Sequence, residues 1–290
     1  MSDELHLDGM MIDSLIDLLR ASFFLEEWDR MIEISDKVLV SSTKLYNEQK
    51  NTLDNGGKYI YGNRGRHLIY YFGFGYMSKG IALYKKEKYN ESRDCISQYS
   101  NLTWLNDGSE DAKEEIYLFK LFAKGNGFTV DLMEGKDVLD NYVAFLKESR
   151  PEELLPGLIN ILEASLKNGN NIDQLLEDFK TNTADVILYY EKQQRKTRYL
   201  TNYFYLLSLY RIKMGNYQDA VHNILLATVA SDSFKDMIAF KKCVALFDIY
   251  RNYATDEQLN MYSSRMLLIL KEEFRDEKSY YFNDDRIRVI

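Results

Sequence analysis

Residues 198–231 read RYLTNYFYLLSLYRIKMGNYQDAVHNILLATVAS, and the way this stretch divides decides the fold. Phe204, Leu207, Ser208 and Leu209 recur at the three- and four-residue spacing of one helix face. Gly215 ends that helix, because glycine accepts the left-handed conformation that a helix terminus needs. Tyr217 follows, and Ala220, Ile224 and Ala227 line one face of a second helix. Small residues at Ser208, Ala220 and Ala227 let the two helices approach closely, while Phe204, Leu207, Tyr217 and Ile224 fill the space around them.

This order of features resembles the tetratricopeptide repeat, a helix–turn–helix unit of about 34 residues. Phe204 takes the aromatic position, Leu207 and Ser208 the apolar–small pair, and Gly215 the turn. Arg211 stands where the repeat usually has an aromatic, with Tyr210 as its neighbouring substitute, and Asp232 replaces the closing proline.

Working outward, the same pattern recurs. Leu15, Ile16, Leu18 and Leu19 predict a first helix from Gly9 to about Phe24. Glu26-Glu27-Trp28 reads as a turn, with Trp28 where Tyr217 stands later, and Met31, Ile34, Val38 and Leu45 follow on a second helix. A looser connection is expected from Asn51 to Asn63. Leu68 to Tyr84 is the next helix. Tyr76 and Gly80 fill the aromatic and small positions, Tyr89, Ser92 and Ile96 continue the match, and the turn glycine is missing. Glu110 to Met133 reads as one long helix broken by Gly135, with Val138, Tyr142, Phe145 and Leu146 on its partner. Pro151 suits the first turn of a helix carrying Leu158, Ile161, Leu162 and Ala164. Phe240, Val244, Phe247 and Tyr250 form a late helix, and Thr255 with Gln258 reads as a capping box.

The expectation is an all-α chain: a tetratricopeptide-like right-handed superhelix of about six helix pairs, with a concave inner surface. It is read as a single repeat domain over residues 1–290, with a helix pair at 1–53, a stack at 63–275 and a tail at 276–290.

Composition agrees. The 290 residues are 46% hydrophobic and 14% aromatic, enough for a sizeable core, and include only two prolines, which favours helix throughout. A net charge of −8 and a pI near 5.1 argue against a general affinity for phosphate backbones. The N-terminus has no apolar signal core and no apolar window is long enough to span a bilayer, so a cytoplasmic protein without membrane contact is expected. Cys95 and Cys243 read as buried thiols, and His6, His67 and His222 lack metal-ligand spacing. Neither a catalytic constellation nor a metal or cofactor site is expected. Gly73-Phe74-Gly75 reads as a close helix-packing site, and the paired acids Glu114-Glu115 and Asp284-Asp285 as solvated charges.

In architecture the chain resembles the tetratricopeptide-type sensor half of cytoplasmic peptide-pheromone receptors from Gram-positive bacteria. That group includes helix-turn-helix transcription factors and response-regulator phosphatases. Tyr70 to Leu102, Pro151 to Ala164 and Lys241 to Gln258 carry the resemblance. Regulators of this type normally begin with a DNA-binding head of about 60 residues. Here the first fifty residues read as a repeat pair, so direct nucleic-acid binding by this chain is not expected.

The resemblance implies a short peptide, or a partner-protein segment, held in the concave groove by asparagines on the first helices of pairs. Asn126, Asn160 and Asn202 occupy such helices, with Tyr205 beside Asn202. An asparagine carries both a donor and an acceptor and can meet a peptide's amide and carbonyl. Tyr71 and Phe74 offer an apolar pocket at the other end, and Arg66 a charge for a peptide carboxylate. An interaction scaffold and a response-regulator phosphatase-like adaptor are the other readings, and a homodimer is compatible with all three.

Overall fold

With so few prolines to interrupt it, the chain winds into helix after helix, and no strand occurs among the described residues. The computed structural model describes residues 7, 9–56, 66–192 and 198–273. His6, the pair Asp284–Asp285 and the tail read at 276–290 lie outside them. The chain divides into two compact units, Met1–Glu148 and Ser149–Ile290.

The first unit holds α1 (Ile12–Phe24), α2 (Trp28–Asp54), α3 (Leu68–Lys85), α4 (Tyr89–Ser100), α5 (Glu110–Met133) and α6 (Leu139–Glu148). A single 3-10 turn, Thr103–Leu105, lies between α4 and α5. Each helix packs on the next, and α3 also touches α1 and α5, so it sits at the centre. One apolar cluster joins Leu15, Ile16 and Leu19 of α1 to Met31, Ile34 and Val38 of α2 and Tyr71 of α3. A second joins Ile69 and Phe72 of α3 to Tyr99 of α4 and Phe119 and Ala123 of α5. Gly73 makes the second cluster possible: a Cβ there would lie 2.4 Å from the Phe119 ring. The glycine pair is thus a packing site, as its sequence context suggests.

The second unit holds α7 (Leu154–Asn168), α8 (Asp173–Asp178), α9 (Lys180–Lys192), α10 (Arg198–Lys213), α11 (Tyr217–Ser233), α12 (Met237–Tyr250) and α13 (Asp256–Glu273). Pro151 opens a 3-10 turn that leads into α7. α10 packs against α7 on one side and α11 on the other. Val221, Ile224 and Leu225 of α11 close on Phe247 and Tyr262, whose rings stack 3.8 Å apart. The capping box forms as its spacing predicts. Gln258 N donates to Thr255 Oγ1 at 3.2 Å, and Thr255 N donates to Gln258 Oε1 at 3.0 Å.

Five connections are built alike. Glu26, Glu87, Gly135, Gly215 and Lys235 all have a positive φ, between 55° and 85°. In each case the following N–H reaches back to the carbonyl five residues earlier: Glu27 to Ser22, Lys88 to Leu83, Lys136 to Asp131, Asn216 to Arg211 and Asp236 to Ser231, at 2.8–2.9 Å. This is the Schellman ending of a helix. Three of the five next helices begin on an aromatic, Trp28, Tyr89 or Tyr217. The glycine missing near residue 87 is therefore replaced by glutamate in the same conformation.

Two details differ from the sequence reading. The stretch Asn51–Asp54 belongs to α2 rather than to a loose connection. On α10 the wholly buried aromatics are Tyr203 and Tyr210, while Phe204 and Leu207 are only half-buried. Tyr210 is buried where Arg211 is only half-buried, and its hydroxyl accepts the Ile172 N–H at 3.0 Å. Ser208, Ala220 and Ala227 are fully buried where α10 meets α11.

Candidate functional site

The seven residues singled out above divide between the two units. Arg66, Tyr71, Phe74 and Asn126 belong to the first, and Asn160, Asn202 and Tyr205 to the second.

In the first unit α3 is so surrounded that its side chains are largely committed to packing. Tyr71 is fully buried, and its hydroxyl donates to Asp13 Oδ1 at 2.7 Å, tying α3 to α1. Phe74 is half-buried and stacks on Tyr70, with centroids 5.4 Å apart. The exposed Arg66 guanidinium lies 4.3 Å above the other part of this ladder, the Tyr70 ring. Arg20 of α1 completes the group: it donates to the Tyr70 hydroxyl at 2.9 Å and sits 5.7 Å from the Phe74 centroid. Arg66 and Phe74 are thus brought together by Tyr70. Its four-residue spacing from each was visible in the sequence. Asn126, half-buried on α5, donates to the Tyr99 hydroxyl at 2.8 Å, which leaves its carbonyl for other partners. Burial pushes the Tyr99 phenol well above its ordinary range, although the Asn126 bond acts in the opposite direction. The phenol therefore stays neutral and accepts the bond.

Glu115 departs from its reading as a solvated acid. It is half-buried on α5, and its Oε2 atom is enclosed with no hydrogen-bond partner among the described residues. Burial raises its carboxyl above the usual range, while His67 and Arg66 nearby pull it down. Glu114, its neighbour, is exposed.

In the second unit α7 and α10 are packed neighbours, so Asn160 and Asn202 stand on adjacent helices. Both helices are covered almost all round. Asn160 shares the less buried side of α7 with Pro156 and Glu163, which lie about 40° and 60° from it at 100° per residue. On α10 the least buried arc carries Asn202, Leu209 and Tyr205, all half-buried. The small side chain of Ser208 faces the contact with α11, and Tyr203 and Tyr210 are buried on a different side. Half-burial is the environment in which an amide side chain bonds a ligand strongly, because water competes less well there.

Asp232, the residue in place of a closing proline, is buried at the end of α11 and pairs with Arg265 of α13. Arg198 at the start of α10 lies 3.8 Å from Asp236, which also accepts the Ala239 N–H at the start of α12. These pairs tie each helix to the next but one, α11 to α13 and α10 to the start of α12. Sequence periodicity missed them because the partners are 33 and 38 residues apart.

Both thiols are buried, as expected, and burial pushes them up, Cys95 to about 11 and Cys243 to about 12. Among the described residues no cluster of three or more His, Cys, Asp or Glu could hold a metal ion. No helix of the described residues is long and apolar enough to cross a membrane. Comparison with known proteins finds no match to the chain among protein families, curated proteins or solved structures.

Proposed function

We propose that this chain is a ligand-binding sensor module of tetratricopeptide type, part of a bacterial regulator, and that its ligand is a short peptide. The observation that carries the reading is the α7–α10 pair, two neighbouring helices that are closely covered yet each keep a half-buried asparagine. Asn202 with Tyr205 is the centre of the binding face, and Asn160 extends it onto α7. An extended peptide brings unpaired amides and carbonyls, and a side-chain amide meets one of each. The repeated turn supports the reading at the level of the element, since tetratricopeptide arrays join helices through short, regular turns. On this reading the helix pairs stack as a right-handed superhelix, and the ligand acts by preferring one curvature of the stack. The chain is not an enzyme, works in the cytoplasm and, at −8 net charge, does not hold duplex DNA by itself.

The test begins with mass spectrometry of small peptides that co-purify with the protein, followed by calorimetric titration of those recovered. An asparagine bonded to a desolvated amide and carbonyl contributes about 1–3 kcal/mol. Asn202→Ala is therefore expected to weaken binding roughly five- to hundred-fold, by the conversion of about 1.4 kcal/mol per decade. Its melting temperature should stay close to that of the wild type, because no buried apolar volume is lost. A large fall in stability with affinity intact would place Asn202 in helix packing and remove the proposed face.

A further inference from the structure

The last three turns of α2 contribute no fully buried side chain, unlike the turns before them. One side of this projecting end forms a wall from Tyr46, Gln49, Lys50, Leu53 and Asp54, at the spacing of a single helix face. Opposite it stands the segment from Trp104 to Asp107, and the start of α3 closes the floor with Leu68 and Ile69. Together they enclose an open pocket of about 250 Å³.

Leu53 on one wall and Trp104 on the other are each 51% exposed, while Leu68 and Ile69 beneath them are buried. The indole is braced by two ring contacts. Its ring stands edge-on to Tyr46 and to Phe72, each at 5.2 Å. The segment around it is tied by its own bonds: Asn106 Oδ1 accepts the Gly108 N–H, and Asp107 Oδ1 accepts the Ser109 N–H, both at 3.0 Å. A preset wall of this kind does not need ordering when something binds. The rim carries both signs of charge, Lys50 with Asp54 and Asp107, and His67 Nδ1 lies 3.8 Å from Asp107 Oδ2. Such a rim does not favour a ligand of strong single charge.

We infer that this pocket takes one large apolar side chain, aromatic or leucine-like, presented by a polypeptide. Its volume is below the roughly 300–1,000 Å³ of sites that enclose a small-molecule ligand, and it suits a single anchoring residue. Leu53 and Trp104 grip the side chain, and the polar rim meets the flanking backbone. The inference rests on the peptide-binding reading only in naming a polypeptide as the carrier. It belongs to the first unit and does not use Asn160 or Asn202.

The test needs no natural ligand. The chain has two tryptophans, Trp28 and Trp104, so the wild-type protein has two indole N–H signals, and Trp28→Phe assigns them. Wild-type protein is titrated with N-acetyl-L-phenylalaninamide and N-acetyl-L-leucinamide, with N-acetylglycinamide and N-acetyl-L-lysinamide as controls. The Trp104 signal is expected to shift and saturate in the millimolar range with the first two. The controls should bind at least fivefold more weakly, and Leu53→Ser should weaken the phenylalanine probe by a similar factor. A Trp104 signal that does not move, or that moves equally with the glycine and lysine probes, overturns the inference. Saturation at Trp104 alongside a failed Asn202 titration would keep this pocket and discard the asparagine face. The reverse pattern would discard only the pocket.

Discussion

At the scale of the residue, the turns show how much a single backbone conformation decides. Gly215 has φ of +77°, and a Cβ placed there meets nothing within 4 Å. Any penalty for a side chain at this position is therefore conformational rather than steric crowding by neighbours. Gly215→Val is expected to lose about 1 kcal/mol or more, since a β-branched residue is poorly accommodated at positive φ. Glu87 is the same turn position with the opposite choice of residue, at φ of +61°. Glu87→Gly relieves the left-handed strain and loosens the unfolded chain, and the relief outweighs the loosening in a position so sharply defined. A gain of up to about 1 kcal/mol is expected, read as a higher urea midpoint at unchanged slope. An unaltered midpoint for Gly215→Val, or a clear fall for Glu87→Gly, would show that the two turns are not equivalent. The turn at Glu26-Glu27-Trp28 was legible from its place in the pattern, but a left-handed backbone was legible only at the glycines. Nothing in the identity of Glu26, Glu87 or Lys235 announces a left-handed backbone, because it is their back-reaching N–H bonds that select it.

At the scale of the element, helix ends were legible and helix faces less so. The ends carry local chemistry, such as Pro151 at a first turn and Thr255 with Gln258 at a cap. A face depends on what surrounds the helix. α10 lies between α7 and α11, so its buried set spreads round the helix and includes Leu200, Tyr203 and Tyr210. A period of 3.6 residues finds one apolar stripe and cannot describe a helix buried on two sides. The same applies to the candidate site. Residue type singled out the asparagines as candidates, whereas Tyr71 is committed to its bond to Asp13, and nothing local to residue 71 signals that.

The contact between α3 and α5 gives a sharper prediction. Gly73→Ala improves helix propensity by about 1 kcal/mol. It also places a methyl group 2.4 Å from the Phe119 ring, which is buried and edged by Tyr99 and Phe122, so the ring has little room to move. Overpacking of this kind costs about 1–3 kcal/mol, and the clash is expected to exceed the propensity gain. Phe119→Leu shortens the offending side chain. The double variant should therefore be less destabilised than the two single losses predict, by roughly 0.5 kcal/mol or more. Strict additivity in chemical denaturation would mean that α3 and α5 do not meet at this point.

At the scale of the whole molecule, the succession of helices was readable, but the division into two units was not. No proline-rich or glycine-rich linker marks it. The boundary falls between Glu148 and Ser149, just ahead of Pro151, whose evident role is to start a helix. The division follows how the chain packs on itself, a long-range property. The two clusters described above for the first unit take all their side chains from residues before Glu148, and both include α3. The cluster that closes α11 on α12 and α13 takes its side chains only from the second unit. A unit with its own core is of ordinary domain size at about 150 residues. The fragment 1–148 is therefore expected to fold by itself, with a single cooperative urea transition and a slope of about 1–3 kcal/mol per molar. The test is far-ultraviolet circular dichroism together with the dispersion of amide signals in an NMR spectrum. A helical fragment with collapsed dispersion and no cooperative transition would show that this core is incomplete without the rest of the chain. The pocket beside Trp104 adds a second readout: if the fragment folds as expected, its indole signal should respond to N-acetyl-L-phenylalaninamide as the full chain's does.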